Sequence, residues 1–190
     1  MTEKLVPTLR THMTAADVYA ALLAAWSESI ATVPSRASLL TLLAQWSLET
    51  GGGGSCNNNN LGGIKHVAGD GHDYAMYLTR EVINGKSVLI DQNFRAYRSI
   101  EEGAADYIHI LRNTFGFAWP AVEAGDVADF AHRLKQRGYY TADEHEYAAG
   151  LRARYMSLDH LIPSDSSVAD INPLFVVPGS EPDKEPPGVA

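Results

Sequence analysis

The sequence has a single cysteine, Cys56, in 190 residues. No intramolecular disulfide can form, so the fold rests on packing in any redox compartment. It has no apolar run long enough to cross a bilayer, so insertion as a helical span is not expected. The N-terminal stretch MTEKLVPTLRTHMTAADVYAALLAAW lacks the order of a signal peptide. Lys4 and Arg10 are followed by His12, Thr14 and Asp17, which interrupt any apolar core of a leader. Positive charge is scarce as well: 15 Lys+Arg face 23 Asp+Glu, a formal net charge of −8. A nucleic-acid partner needs a basic face to neutralise phosphates, so none is expected. An anionic polymer is excluded less firmly, because a local groove can differ from the whole. The seven histidines contain no HExxH. His66, His72 and Asp73 carry ligand chemistry, but their spacing matches no zinc motif, so neither a metal nor another cofactor is expected.

What is present fits one domain with a sizeable core: 45% of the residues are hydrophobic. Thr14 with Asp17 reads as a capping box, followed by Val18, Leu22, Ala25, Trp26, Ile30 and Val33 at helical spacing. Pro34 and Ser35 break that helix and start the next. Leu39, Leu42, Leu43 and Trp46 form its apolar stripe, Glu49 stands at its end, and Gly51 to Gly54 stop it. Residues 51–75 read as irregular. Residues 79–90 read as a hairpin about Asn84-Gly85, a pair suited to a tight type I′ turn. Ser99 with Glu102, Val127 to Leu134, and Thr141 with Glu144 mark further helices, the last carrying Tyr147, Leu151, Tyr155 and Leu158. The fold class expected is α+β, mainly helical with a small β-hairpin lobe, over residues 1–162. Residues 163–190 lose periodicity, and PGSEPDKEPPGVA reads as a flexible, proline-rich tail.

Glu49 is the first candidate for chemistry. It follows Trp46 by three residues and Gln45 by four, so it shares a face with the apolar stripe. Burial and the negative end of the helix dipole both disfavour the carboxylate and raise its pKa. A carboxyl that stays protonated near neutrality suits a glycosidase acid. The plain alternative is a solvated glutamate at a helix end. GGGGS at 51–55 resembles a flexible linker, or else a loop whose glycines let a sugar chain approach backbone. Asn57 to Asn60 suit turns or sugar hydroxyls. Cys56 near His66 or His72 suggests a cysteine amidase, but no helix start at Cys56 would activate its thiol.

The segment LLAQWSLETGGGGSCNNNNLGGIK resembles the bacterial N-acetylglucosaminidase domain family of lysozyme-like glycoside hydrolases, the flagellar-type peptidoglycan hydrolases. The resemblance is carried by Ala44, Gln45, Glu49, Thr50 and Gly51, then by Asn60 to Lys65. It continues through Glu81 with Asn84-Gly85-Lys86, FRAYRSIEEGAADY at 94–107 and YYTADEHEYAAGL at 139–151. It implies a lysozyme-like fold with Glu49 as catalytic acid. It assigns Glu81, on the hairpin, as base or water-activating group, and Tyr147 to a tyrosine lining the cleft, with Tyr139 the alternative. Ser55, Asn60 and Tyr139 are the substrate-binding candidates. Gly52 and Gly62 depart from the family pattern, which often has aromatic residues there, so sugar stacking is reduced. The activity implied is hydrolysis of β-1,4 bonds in peptidoglycan glycan strands, as glucosaminidase or muramidase and without cofactor.

Two rivals stand beside that expectation: a Cys56-dependent amidase or peptidase, and a non-catalytic wall-binding module. A transglycosylase needs no second carboxylate, so Glu81 favours hydrolysis. A carboxyl separation of about 5–5.5 Å would mean retention and about 6.5–9.5 Å inversion. The place of action expected is the periplasm or outside the producing cell, as an antibacterial effector or phage-type lysin. Secretion machinery or an immunity protein are then the protein partners to expect.

Overall fold

A computed structural model of the chain describes residues 3–83 and 86–162, with the side chains of residues 80–87 left out. The Asn84-Gly85 turn, the Glu81 side chain and the tail from 163 onward lie outside the described residues. Six α-helices and one hairpin are present among the described residues: α1 Ala15–Ser29, α2 Arg36–Glu49, β1 Tyr74–Ile83, β2 Lys86–Arg95, α3 Ile100–Asn113, α4 Trp119–Ala124, α5 Val127–Gln136 and α6 Glu144–Leu158. A short 3₁₀ turn, Asp159–Leu161, follows α6. No described helix is long and apolar enough to cross a membrane.

The helix starts follow local chemistry. Thr14 caps α1 with a full capping box, since its side chain accepts the Asp17 N–H while Asp17 reaches back to the Thr14 N–H at 2.7 Å. Ser35 caps α2 and Ser99 caps α3 through its own side chain, but Glu102 reaches past Ser99 to the Arg98 N–H at 2.9 Å. For α6 the expected Thr141 cap is wrong: Asp143 accepts the Glu146 N–H at 3.1 Å. Both residues are followed by glutamate at the right distance, and aspartate is the better cap. Lys135 Nζ also donates to the carbonyls of Thr141 and Ala142, holding them outside the helix. The first helix ends at Ser29 rather than running to Val33, which is exposed.

Helix α2 is the axle of the domain. Every residue from Ser38 to Ser47 is buried, not just the predicted stripe. A helix covered on all sides must have neighbours all round, and α2 packs against α1, α4 and α6. Its polar residues bond internally: Thr41 to the Ala37 carbonyl at 2.9 Å and Ser38 to the Glu123 carbonyl at 3.1 Å. Trp26 of α1 packs against Trp119 of α4 with ring centroids 5.0 Å apart, and its indole N–H donates to the Thr32 carbonyl at 2.8 Å. Burying rings of this size contributes most of what holds such contacts, and removing one costs about 3–5 kcal/mol.

The hairpin is longer than expected, 74–95 instead of 79–90. Its antiparallel register runs from Tyr74↔Arg95 to Ile83↔Lys86. Its root is tied down by the N-terminal segment, through a parallel bridge from Leu5 to Tyr74 and a bond from Lys4 N–H to Asp73 Oδ1 at 3.0 Å. The same segment runs on along the asparagine loop, where Leu9 N–H meets Asn58 Oδ1 at 3.1 Å and Thr11 Oγ1 accepts the Asn59 N–H at 3.0 Å.

Candidate active site

Glu49 closes α2, and the chain reverses immediately after it. Thr50 caps the end, its hydroxyl donating to the Trp46 carbonyl at 2.7 Å and accepting the Gly53 N–H at 3.0 Å. At Gly53, φ is +87°, and a Cβ would sit 2.8 Å from the Met13 carbonyl oxygen and 3.1 Å from the Trp46 ring. Neither the backbone angle nor the space admits a side chain. The glycine run is therefore a packed turn of the domain, not a linker.

Glu49 is met by Tyr147 from α6, whose hydroxyl donates to Glu49 Oε1 at 2.8 Å. The tyrosine is held in turn. Its ring stacks on Tyr140, centroids 3.7 Å apart and planes 10° apart. Its oxygen receives the Gln45 amide at 3.4 Å, and Gln45 Oε1 receives the Tyr107 hydroxyl. Gln45 lies one turn before Glu49 on the same face of α2 and is fully buried. Four side chains from three helices thus form one donor-to-acceptor series ending on the carboxyl.

Electrostatics follow. Glu49 is exposed by surface area, yet protein surrounds its carboxyl densely enough for desolvation to dominate. A carboxyl packed against protein on one side and open to solvent on the other has both properties. Burial pushes the Glu49 pKa above the ordinary carboxyl value, and the Tyr147 hydrogen bond pulls it part of the way back. Burial and the nearby Glu49 charge raise Tyr147 and Tyr139 well above the usual phenol range, so both remain hydrogen-bond donors.

The other expected site residues are placed as follows. Tyr139 is half-buried, donates to the Gly62 carbonyl at 3.1 Å and meets Phe115 edge-on. It borders the Glu49 site without touching the carboxyl through any described bond. Gly62 is packed so closely that a Cβ would lie 2.8 Å from the Tyr107 ring, so this version of the site has no room for an aromatic there. Ser55 is exposed in the turn after Gly54, with its hydroxyl donating to the Thr50 carbonyl at 2.8 Å. Asn60 must be reassigned. It is 3% exposed, its amide hydrogens go to the Ile64 and Arg95 carbonyls, both at 2.9 Å, and its oxygen takes the Ile64 N–H at 2.8 Å. It has no donor left for a sugar and serves to join the loop to the root of β2.

Glu81 stands opposite Val88 in the hairpin register. In the two-residue period of the strand its position is in phase with Ala75 and Tyr77, and Ala75 is fully buried opposite buried Phe94. Cys56 is buried, and desolvation pushes its thiol up to about 11. A thiol that stays protonated at neutral pH is a poor nucleophile, which removes the support for a cysteine amidase.

Sequence reasoning missed the roles of Gln45, Tyr107 and Tyr140. Gln45 left a legible signal: an amide inside an otherwise apolar helix needs buried partners. Tyr107 is spaced like a core residue, and nothing local marks its hydroxyl for use.

The curated relatives include the peptidoglycan hydrolase FlgJ of Vibrio cholerae, 32% identical over 106 residues, covering 53% of this chain and 32% of that protein. FlgJ of Pseudomonas aeruginosa is 31% identical over 122 residues, covering 60% and 30%. The chain thus spans about a third of the length of the curated relatives it matches. Among solved structures, a peptidoglycan hydrolase mutant from Sphingomonas sp. A1 aligns with TM-score 0.57 and 25% identity, covering 76% of this chain and 99% of that one. The C-terminally truncated glycoside hydrolase domain of Salmonella typhimurium FlgJ aligns with TM-score 0.52 and 25% identity, covering 76% and 95%. The model of the glucosaminidase family, described as mannosyl-glycoprotein endo-beta-N-acetylglucosaminidase, matches residues 31–160. That span holds the whole Gln45–Tyr147–Glu49 assembly, and the chain belongs to the glucosaminidase family of glycoside hydrolases.

Proposed function

We propose that this chain hydrolyses β-1,4 glycosidic bonds in the glycan strands of peptidoglycan, with Glu49 as general acid. The observation that carries the reading is the Glu49 carboxyl, raised by burial and bonded at 2.8 Å to a fixed tyrosine. The protonated acid gives its proton to the leaving glycosidic oxygen as the C–O bond breaks. Tyr147 steadies the carboxylate that results, because its hydroxyl donates and does not compete for the proton. Glu81 is assigned to water activation or to stabilising positive charge on the sugar. Tyr139 and Ser55 are assigned to the sugar-facing rim. The names of the FlgJ relatives support the substrate, and the family description favours cleavage after N-acetylglucosamine over cleavage after N-acetylmuramic acid. From that substrate we infer action in the periplasm or outside the producing cell.

Digestion of purified peptidoglycan tests the reading. Borohydride reduction followed by mass spectrometry should find new N-acetylglucosaminitol ends with stem peptides still on muramic acid. Reduced muramic acid would mean a muramidase, and 1,6-anhydro ends a transglycosylase. Glu49→Gln should lose at least about 100-fold in rate with its far-UV dichroism unchanged, as loss of a general acid does. Undiminished release of glycan fragments by that variant would remove Glu49 from the role.

A further inference from the structure

We propose that Glu3, His66 and Asp70 form a site for one divalent transition-metal ion, Zn²⁺ by ligand chemistry, which pins the N-terminal segment to the root of the hairpin. His66 Nε2 lies 3.3 Å from Glu3 Oε2 and 3.5 Å from Asp70 Oδ1. One ligand atom from each residue falls within a 4.8 Å cluster. The His66 side chain is 5% exposed, and its Nε2 makes no hydrogen bond among the described residues. Its ring is held by stacking on Tyr74, centroids 4.3 Å apart. A buried imidazole nitrogen set between two carboxylates, with a hydrogen bond to neither, is placed as a ligand atom is.

An ion supplies it. Zinc binds histidine nitrogen and carboxylate oxygen at about 2.0–2.2 Å, and a tetrahedral arrangement then sets neighbouring ligand atoms about 3.3 Å apart. Such an ion sits on the ring axis and leaves the oxygens off that axis, where a direct N–H bond fails. The carboxylates are already oriented, as ligands usually are. Glu3 Oε1 and Oε2 accept the N–H groups of Gly71 at 2.6 Å and Gly69 at 3.1 Å. Asp70 Oδ1 accepts the His72 N–H at 3.1 Å, while Oδ2 accepts Val67 N–H at 3.1 Å and Arg95 Nε at 2.9 Å. The cation bonded to the cluster is Arg95, and it is shared with Asp106 at 2.7 Å. Three carboxylates against one guanidinium leave negative charge that a divalent ion offsets. The imidazole ligand favours zinc over magnesium or calcium.

The whole chain, stripped with a chelator and dialysed, should take up one Zn²⁺ in a calorimetric titration, with a rise of several degrees in melting temperature. Mg²⁺ at the same concentration should give no rise. Co²⁺ should develop visible bands of tetrahedral intensity. Glu3→Gln removes a ligand near the chain start and tests the site without touching the core. It should weaken zinc binding by at least about 10-fold, the smallest loss seen even for outer-sphere changes, and abolish the thermal shift. His66→Gln should do the same. No stoichiometric uptake overturns the proposal. So does uptake unchanged in both variants, which is adventitious binding at other histidines, or an equal shift with Mg²⁺.

Discussion

A tyrosine hydroxyl donating to Glu49 Oε1 leaves Oε2 as the oxygen that carries the acid's proton. The direction of that bond is set one residue further back, because Gln45 fills the acceptor side of the Tyr147 oxygen with an amide hydrogen. Tyr147→Phe keeps the ring stacked on Tyr140 and removes the hydrogen bond that lowers the Glu49 pKa. The falling, high-pH limb of the rate profile should move to higher pH in this variant. Its maximal rate should drop by about 10-fold or more, since hydrogen bonds to charged groups contribute about 1.5–3 kcal/mol. A pH–rate series on soluble glycan fragments checks both, and a limb that moves to lower pH would contradict the bond's assigned direction. Stability gives an independent reading of the same carboxyl. Its folded pKa is raised, so the folded chain keeps a proton that the unfolded chain loses near pH 4.3. Stability contributed by Glu49 therefore falls as pH rises through the window between those two values. Glu49→Gln has no proton to lose, and its melting temperature should exceed wild type at neutral pH. The difference should vanish below about pH 4, where both forms are neutral; a gap independent of pH would mean that burial is not the cause.

Helix α3 shows how closely the elements are fitted around this site. On helix propensity alone, Gly103→Ala would stabilise by about 1 kcal/mol. Here the added Cβ would lie 2.0 Å from the Asn59 carbonyl oxygen, a backbone atom in the loop that Asn60 anchors. The sign should reverse, with a loss of about 1–3 kcal/mol in denaturant unfolding. Activity should fall as well, since that loop leads directly to Gly62 and its contact with Tyr139. Elements of this kind differ in how well the sequence announces them. The starts of α1, α2 and α3 were legible because serine and threonine caps act within a few residues. The hairpin was recognised by its turn but measured short. Met76 and Leu78 are exposed apolar residues on the face opposite Ala75 and Tyr77, so the two-residue alternation is blurred. Helix α4 has six residues with Pro120 in its first turn, too short for a periodic signal.

At the scale of the molecule, the family was legible because the motifs around Glu49, Glu81 and Tyr147 follow in the order the resemblance implies, all of them within residues 31–160, which the family model matches. What was not legible is assembly at a distance. Gln45 and Tyr147 are 102 positions apart, and His66 finds Glu3 across most of the N-terminal segment. No local pattern encodes such meetings; only the packed chain creates them. Composition alone bears on the tail. Deleting Pro178 to Ala190, a stretch of proline and charge that cannot build a core, should leave both the melting temperature and the glycosidase rate unchanged. A loss of several degrees by scanning calorimetry would show that the segment packs on the domain.

The complete burial of α2 from Ser38 to Ser47 has a further consequence for how the molecule opens and closes. Amides at the centre of such a helix can exchange their hydrogens with solvent only when its neighbours have all come away, so they report the rarest and largest fluctuation of the chain. Glu49 is the last residue of that same rod. Its carboxyl is tied back to the centre of that rod through Tyr147 and Gln45, so its setting is lost only when the neighbours of α2 separate. A partly opened molecule whose α2 amides stay protected would still hold Glu49 against Tyr147.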